Sequence, residues 1–343
     1  MNLPKPIKIN AEKYVAGLSS FKKRTIKIKL SANESALGPS PRARKEFIKV
    51  SKNLNRYPDS EGFVLKKTLA KKFKLDPARI ILGSGSDQIF ELICKVFLKK
   101  NDEVVVPEFS FIIYRIYSKI FGAKIKYAKE KNFRISVDNI LSKVNRRTKI
   151  VFLANPNNPT GTIVSKKELL RLRKKLRSNI LLVIDDAYFE YVKDKNYLPG
   201  MRLFSNSKNV IVTRTFSKIY GLAGLRVGWG YGPKNLIYAL NQVKPPFNIN
   251  RAALFAAADV DGSGKLDEQE FTALLEELSE KTRGHRNVSR LEFELARGSL
   301  DANRDGLIDL SELREEFYHR KLKDASDRLF LDRSGELVAG APA

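Results

Sequence analysis

The chain has 343 residues, more than a single hydrophobic core usually supports, so we expect two domains. No apolar run approaches the roughly 18 residues that cross a membrane, and the basic N-terminus lacks the apolar segment of a signal peptide. We therefore predict a cytoplasmic protein without membrane contact. The single cysteine, Cys94, cannot form an internal disulfide, and its apolar surroundings predict a buried side chain rather than a nucleophile.

The formal charge differs between the two parts of the chain. Residues 1–250 carry 50 Lys+Arg against 18 Asp+Glu, whereas residues 251–343 carry 14 against 20. A basic excess of this size could indicate nucleic-acid binding. The lysines, however, are spread over every predicted helix without interleaved stacking aromatics, which favours solvated helix faces over a nucleic-acid interface.

Short β-branched runs alternate with amphipathic stretches from about residue 78. Helices that cover both faces of a parallel sheet bury its strands completely, so such runs are typical of an α/β fold with a mainly parallel sheet in three layers. The predicted strands occupy residues 79–82, 103–107, 149–155, 180–186 and 209–215, and the predicted helices occupy 87–98, 111–121 and 166–176.

Polar residues and glycines concentrate in the loops after these strands. Because sites in such sheets lie at the carboxyl ends of the strands, five loops are expected to face one crevice. They are GSGSD at 83–87, PEFSF at 107–111, NPNNPTG at 155–161, DDAYFEY at 185–191 and TRTFSK at 213–218.

Three charged residues in or near these loops suggest a cofactor site. Asp185 ends the most apolar strand, where a carboxylate can meet a buried cation such as a protonated pyridine nitrogen. Lys218 follows another strand, where burial can lower the pKa of an amine enough to make it a nucleophile. Arg226, close to the Thr215 and Ser217 hydroxyls, could bind a phosphate in bidentate fashion. Each has an ordinary alternative, since any strand can end in an acid and the chain is rich in lysine and arginine.

Two loops add weaker signals. The glycine loop that contains Ser86 and Asp87 opens a predicted helix, so its N–H groups and the helix dipole could hold phosphate. Asn158 lies in a rigid turn and could contact a ligand or serve only as a turn former.

Taken in this order, the segments resemble the fold type I pyridoxal-phosphate enzymes, and most closely the histidinol-phosphate aminotransferase family. The resemblance covers about residues 25–250. Besides the loops above, it includes KLSANESALGPSP at 29–41, NRYPD at 55–59 and TFSKIYGLAGLRVGWGYG at 215–232.

The resemblance implies a role for each candidate residue. Lys218 would form the Schiff base with pyridoxal 5'-phosphate, Asp185 would pair with the pyridine nitrogen, and Asn158 and Tyr188 would contact the ring hydroxyl. The residues implied around the phosphate are Ser86, Asp87, Thr215, Ser217 and Arg226. Phe109, where the family usually has tyrosine, would stack on the ring or else pack in the core, and Tyr57 would reach the phosphate of the neighbouring subunit in a homodimer.

The family's reaction transfers the amino group of histidinol phosphate to 2-oxoglutarate in histidine biosynthesis. The family also has a C-terminal segment that completes a small domain and supplies an arginine for the substrate carboxylate. We do not recognise that segment after residue 250. The sequence therefore predicts cofactor binding with little or no turnover.

Two acidic glycine loops follow residue 250. Both match positions 1, 3, 5, 7, 9 and 12 of the EF-hand calcium loop, with glycine at position 6 and an apolar residue at position 8. The predicted ligands are Asp259, Asp261, Ser263, Lys265, Asp267 and Glu270 in the first loop, and Asp301, Asn303, Asp305, Leu307, Asp309 and Glu312 in the second. The alternative is two acidic turns that bind no cation.

The predicted organisation is an aminotransferase domain at 1–250 with an incomplete small domain, followed by an all-α EF-hand pair with a C-terminal tail at 251–343. The first functional hypothesis is an aminotransferase that acts on an amino donor and a 2-oxo acid. The second is a Ca²⁺-binding protein whose aminotransferase domain is catalytically impaired. The third is an artificial or misjoined chimera of the two segments, which the abrupt change in composition favours.

Overall fold

The computed structural model describes residues 9, 11–15, 20–21, 24–25, 31–51, 54–258, 265–266 and 308–309. The chain forms two compact units, Met1–Val260 and Asp261–Ala343. The first unit contains strands β1 Ser20–Phe21, β2 Arg24–Thr25, β3 Ile80–Gly83, β4 Glu103–Pro107, β5 Lys124–Ala128, β6 Thr148–Ala154, β7 Leu181–Asp185, β8 Val210–Thr215 and β9 Gly228–Tyr231. Strands β10 Lys265–Leu266 and β11 Ile308–Asp309 belong to the second unit.

The described α-helices lie in the first unit and alternate with most of its strands. They are α1 Pro41–Val50, α2 Phe63–Phe73, α3 Gly85–Phe97, α4 Ile112–Ile120, α5 Val137–Lys143, α6 Lys166–Lys175, α7 Gly200–Leu203, α8 Lys234–Val243 and α9 Arg251–Ala256. Polar caps begin several of them. Ser165 accepts the Glu168 N–H at the start of α6, an S-x-x-E pattern that fixes where the helix begins.

The central sheet has seven strands in the order β3-β9-β8-β7-β6-β4-β5. β9 is antiparallel to both of its neighbours, and the remaining pairs are parallel. All strands except β9 therefore run in one direction, and their carboxyl ends lie at one edge of the sheet. The expectation of an α/β fold with a mainly parallel sheet is confirmed.

Two hydrophobic clusters cover the faces of this sheet and give the three layers. On one face, α3, α4 and α8 contribute buried residues such as Phe90, Ile116 and Leu240. On the other face, α2, α5, α6 and α9 contribute residues such as Leu69 and Leu172. Cys94 lies in the first cluster, where burial raises its pKa to about 12, so the prediction of a buried, unreactive thiol is confirmed.

The first compact unit continues past the predicted boundary at residue 250. Asn250 caps α9 by accepting the Ala253 N–H, and Leu254 and Ala256 are buried in the same cluster as α2. Among the described residues, no helix is both long and apolar enough to span a membrane.

Candidate active site

Lys218 lies just beyond the carboxyl end of β8, in the crevice where the strands end. Its Nζ donates to the Ala32 carbonyl at 2.8 Å and lies 5.6 Å from the centre of the Tyr188 ring. Burial lowers the pKa of Lys218, and the carboxylates of Asp87 and Asp185 partly oppose that shift. The site thus presents a primary amine that loses its proton more readily than a surface lysine does.

Asp185 ends β7 in the same crevice and is only 5% exposed. Its Oδ2 accepts the Tyr114 hydroxyl at 2.7 Å, and its Oδ1 accepts the Thr213 hydroxyl at 3.2 Å. Burial raises its pKa to about 6, although both hydrogen bonds act in the other direction. A cationic partner would be needed to hold this carboxylate fully ionised near neutral pH.

A ring of polar groups next to these residues forms a cup suited to an anion. The Arg226 guanidinium donates to Ser217 Oγ at 3.2 Å and to Asp87 Oδ2 at 3.3 Å, and the Ser217 N–H donates to Thr215 Oγ1 at 3.0 Å. Ser86 is buried in the first turn of α3, whose positive dipole end points into the cup. Burial raises the pKa of Asp87, and Arg226 and then Lys218 oppose that shift.

Two glycines make room for this cup. A Cβ atom on Gly85 would lie 2.4 Å from Arg226 Nη2, and one on Gly228 would lie 2.4 Å from the backbone nitrogen of Ser86. Gly85 also has a φ of +76°, which favours glycine. The start of α3, the guanidinium and β9 therefore approach one another more closely than side chains would permit.

The asparagine loop after β6 frames another side of the crevice. The Asn155 side chain exchanges hydrogen bonds with the Val164 backbone at 2.8 and 3.1 Å, and Asn157 Nδ2 donates to the Phe109 carbonyl at 2.8 Å. These bonds fix the loop on both sides of Asn158, whose side chain is half-buried. The loop is therefore held by its own side chains.

Tyr188 follows Asp185 in the loop after β7. Its hydroxyl accepts from Asn33 Nδ2 at 3.1 Å, and burial raises its pKa. The phenol therefore keeps its proton at neutral pH and can donate it to an acceptor in the crevice.

The two remaining candidates are more exposed. Phe109 is 46% exposed and lies 5.6 Å from the Phe133 ring, so its face is available to a ligand. Tyr57 is 80% exposed and stacks on Phe247 at 4.6 Å, apart from the cup residues of its own chain. Its contact with a partner subunit stays a prediction.

The next residues along β7 and β8 form a buried charged cluster on the opposite side of the sheet. Arg214 is 2% exposed, pairs with Glu190, and lies 3.7 Å from the centre of the Phe189 ring. Asp186 is also buried, and burial raises its pKa well above the usual range. Because side chains alternate along a strand, this cluster supports the strand ends from the side away from the crevice.

Sequence reasoning missed three residues that contact the candidate site. They are Tyr114, Ala32 and Asn33, which reach Asp185, Lys218 and Tyr188 respectively. Helical periodicity could place Tyr114 on a buried face, but no local pattern could place it opposite a strand more than 60 residues later.

The predicted calcium loops mostly lie outside the described residues. β10 pairs with β11 in antiparallel fashion, with Leu266 opposite Ile308 and Lys265 opposite Asp309. Of the predicted ligands, only Lys265 and Asp309 belong to the described part, and only as backbone. Within that part, no cluster of three or more His, Cys, Asp or Glu residues could hold a metal ion.

Comparisons with known proteins identify relatives of this chain, and the family match extends from the first unit into the second. Residues 25–316 match the family described as aminotransferase class I and II. A histidinol-phosphate aminotransferase from Pelagibacter ubique is 55% identical over 259 residues, which are 76% of this chain and 72% of that protein. One from Granulibacter bethesdensis is 39% identical over 283 residues, covering 82% of this chain and 73% of that protein.

Solved structures show the same fold. The histidinol-phosphate aminotransferase from Sinorhizobium meliloti, in complex with pyridoxal-5'-phosphate, aligns with a TM-score of 0.64 at 24% identity and covers 76% of this chain and 83% of that one. The enzyme from Clostridium acetobutylicum aligns with a TM-score of 0.61 at 26% identity, covering 68% and 70%.

Proposed function

This chain belongs to the class I and II aminotransferase family, and on that premise we propose that it is a pyridoxal-phosphate-dependent transaminase. The proposed reaction transfers the amino group of histidinol phosphate to 2-oxoglutarate, a step of histidine biosynthesis. Because the family match extends past residue 250 to residue 316, we expect turnover and not only the cofactor binding predicted from the sequence. One observation carries the proposal. The Lys218 amine and the Asp185 carboxyl lie at the carboxyl ends of the neighbouring strands β8 and β7, beside the cup around Arg226.

The residues of the crevice fit pyridoxal phosphate. Arg226, Ser217, Thr215 and the start of α3 with Ser86 and Asp87 would hold its phosphate, because they combine positive charge, hydroxyls and a helix N-terminus, and Gly85 lets the guanidinium approach that N-terminus closely. Asp185 would face the ring nitrogen, Asn158 and Tyr188 would contact the ring hydroxyl, and Phe109 would cover the ring face.

When bound, pyridoxal phosphate supplies an aldehyde for the lysine and a ring that accepts electrons from the substrate carbon. Lys218 contributes an amine whose lowered pKa leaves a larger fraction neutral and nucleophilic. The Ala32 carbonyl, 2.8 Å from Nζ, holds this amine in the crevice. Lys218 Nζ would also act as the base that takes up the proton leaving the substrate carbon.

Two contacts prepare the site before the cofactor enters. Asp87 orients the Arg226 guanidinium toward the cup, so less side-chain freedom is lost when a phosphate binds. Asn33 donates to the Tyr188 oxygen, which leaves the Tyr188 hydrogen free to donate to the ring hydroxyl.

The substrate assignment rests on the similarity of this chain to histidinol-phosphate aminotransferases. The dimer rests on the resemblance and on exposed aromatic side chains. Tyr57 and Phe63 are 80% and 67% exposed on one chain. We propose that they lie at a homodimer interface, where Tyr57 would reach the phosphate in the partner's site. Burial of such aromatic surface is a common source of dimer stability.

The test is a half-reaction followed by absorbance. Histidinol phosphate mixed with the cofactor-loaded chain should convert the bound cofactor to its amine form. Half-saturation should need about tenfold less histidinol phosphate than histidinol, because a phosphate contact adds roughly 1.4 kcal/mol. Aspartate serves as the control donor. Conversion by aspartate at the same rate would reject histidinol phosphate as the specific amino donor. No conversion by any donor would reject the transaminase activity.

We further propose that the second unit binds Ca²⁺ as an EF-hand pair. The β10·β11 pairing supports it. Leu266 and Ile308 occupy the eighth positions of the two predicted loops and lie opposite each other, so the pairing is symmetric about equivalent residues. Two loops that coordinate cations through residues on either side of the eighth position are expected to meet in this way.

Calcium titration tests this second proposal. The wild-type chain should bind two Ca²⁺ ions, and Glu270→Gln and Glu312→Gln should each remove one, because the twelfth residue supplies both oxygens of a bidentate ligand. Glu280→Gln, between the loops, serves as the matched control. If the wild-type chain and a variant with both substitutions bound the same number of Ca²⁺ ions, the two loops would be acidic turns that bind no cation.

A further inference from the structure

Tyr114 is a fully buried tyrosine whose hydroxyl hydrogen is committed to Asp185. It lies on α4, on a different element from the strands that carry the candidate site, and its hydroxyl is 2.7 Å from Asp185 Oδ2. We propose that Tyr114 is a positioning residue that aims the Asp185 carboxylate at the pyridine nitrogen and favours its anionic form. This inference rests on the proposed function, since it needs a cofactor ring opposite Asp185.

Aromatic neighbours fix the Tyr114 ring on three sides. Phe152 stacks on it with a centroid distance of 5.0 Å and an interplanar angle of 1°, and Phe90 and Phe111 meet it edge to face at 5.0 and 5.7 Å. Such packing leaves the ring no second orientation. The hydroxyl therefore acts as a fixed donor.

The donor also stays protonated. Burial raises the pKa of Tyr114 well above 10, and the neighbouring Asp185 carboxylate raises it further. Tyr114 therefore contributes a neutral O–H at neutral pH. A neutral donor favours the charged form of its acceptor, as the cofactor partner requires.

Asp185 needs this donor because most of its surroundings oppose ionisation. Burial raises its pKa to about 6, and the Asp87 carboxylate on α3 adds to that shift. Asp186, the next residue, is a second buried acid that interacts with it. Lys218 is the cation that faces Asp185 across the crevice, and burial lowers its own pKa. The Tyr114 and Thr213 hydroxyls are the polar side chains that stabilise the carboxylate directly.

The two hydrogen bonds also orient the Asp185 carboxylate, because each holds a different oxygen. Thr213 holds Oδ1 from β8 at 3.2 Å, and Tyr114 holds Oδ2 from α4 at the shorter 2.7 Å. Because the two donors lie on different elements, they fix the plane of the carboxylate as well as its position. Loss of Tyr114 would leave one oxygen without its donor in a buried site.

The test variant is Tyr114→Phe, which keeps the ring and removes the hydroxyl. Tyr117→Phe is the matched control, because it removes a half-buried hydroxyl from the same helix. Affinity for pyridoxal phosphate is measured by fluorescence quenching of the apoprotein, and again for the 1-deaza analogue, which has a C–H group in place of the ring nitrogen.

Tyr114→Phe should weaken pyridoxal phosphate binding about tenfold at pH 7, and Tyr117→Phe should not weaken it. The loss of affinity should become smaller as pH rises to 9, since Asp185 is then ionised in both the wild-type chain and the variant. With the deaza analogue, Tyr114→Phe should bind as well as the wild-type chain, because that ring makes no use of the anion.

Other outcomes distinguish the positioning role of Tyr114 from the proposed transaminase function. An equal loss for both cofactors would show a packing role for Tyr114 and overturn the positioning proposal. An unchanged affinity for pyridoxal phosphate in Tyr114→Phe would overturn it as well. Failure of the wild-type chain to bind pyridoxal phosphate at all would instead reject the proposed function.

Discussion

Replacement of Lys218 by alanine will lower transamination by about 10⁴-fold or more, because the residue is the proposed nucleophile and proton carrier. Lys218 is the lysine that the structure places in the crevice with Asp185, with its pKa lowered by burial. The cup around Arg226 does not depend on it, so the variant should still bind pyridoxal phosphate non-covalently. The visible absorbance of a lysine-bound cofactor should be absent. Steady-state assays and absorbance spectra measure both effects.

Lys244 offers a matched control for this substitution. Burial lowers its pKa too, and its Nζ donates to the Ser60 carbonyl at 3.2 Å, at the end of α8. Lys244→Ala should retain the cofactor absorbance of the wild-type chain. If Lys218→Ala kept normal absorbance and turnover while Lys244→Ala lost them, the assignment of the nucleophile would be wrong.

Asp185→Asn should lower kcat by about 10²-fold or more, because a neutral amide cannot stabilise a protonated ring nitrogen. The substitution keeps the shape of the side chain and an oxygen that can accept from Tyr114. Affinity for the cofactor should fall less than kcat, since the phosphate cup is unchanged. Asp186→Asn is the control, because Asp186 is an equally buried acid on the other side of the strand.

Thermal unfolding of the wild-type and Asp185→Asn apoproteins distinguishes a loss of kcat from a loss of the fold. The pKa of Asp185 is raised to about 6 in the folded chain, so its contribution to stability is full below the unfolded pKa near 4 and is lost as pH rises through 6. That loss is about 3 kcal/mol. Asp185→Asn should therefore be at least as stable as the wild-type apoprotein at pH 8. A variant that keeps full kcat would contradict the role of the carboxylate.

The strands that the sequence predicts correctly are those with uniform burial. The predicted strands at 103–107, 180–186 and 209–215 contain β4, β7 and β8 respectively, because Val, Ile and Leu side chains fill both faces of the sheet. Two strands of the central sheet escaped this reasoning. β5 alternates lysines with apolar residues at the edge of the sheet, and the glycines of β9 remove the β-branched signal where α3 approaches it closely.

The sequence could predict those site residues that lie close to the ends of strands. Asp185 ends β7, Lys218 follows β8, and Arg226 precedes the antiparallel strand β9, whose start lies at the same edge of the sheet. Tyr114 and Asn33 reach the site from a helix and from an N-terminal segment, and only the tertiary fold determines such contacts. The calcium loops, the domain boundary at residue 250 and the hypothesis that two segments were joined stay predictions.

Chemical trapping of the cofactor tests the central claim most directly. The chain is incubated with pyridoxal phosphate, reduced with sodium borohydride, digested and mapped by mass spectrometry. Because the chain is rich in lysine, adventitious labelling would spread over many surface lysines. We predict stoichiometric labelling of Lys218 alone. Labelling scattered over other lysines, with Lys218 unmodified, would contradict the claim that this amine opposite Asp185 is the cofactor site.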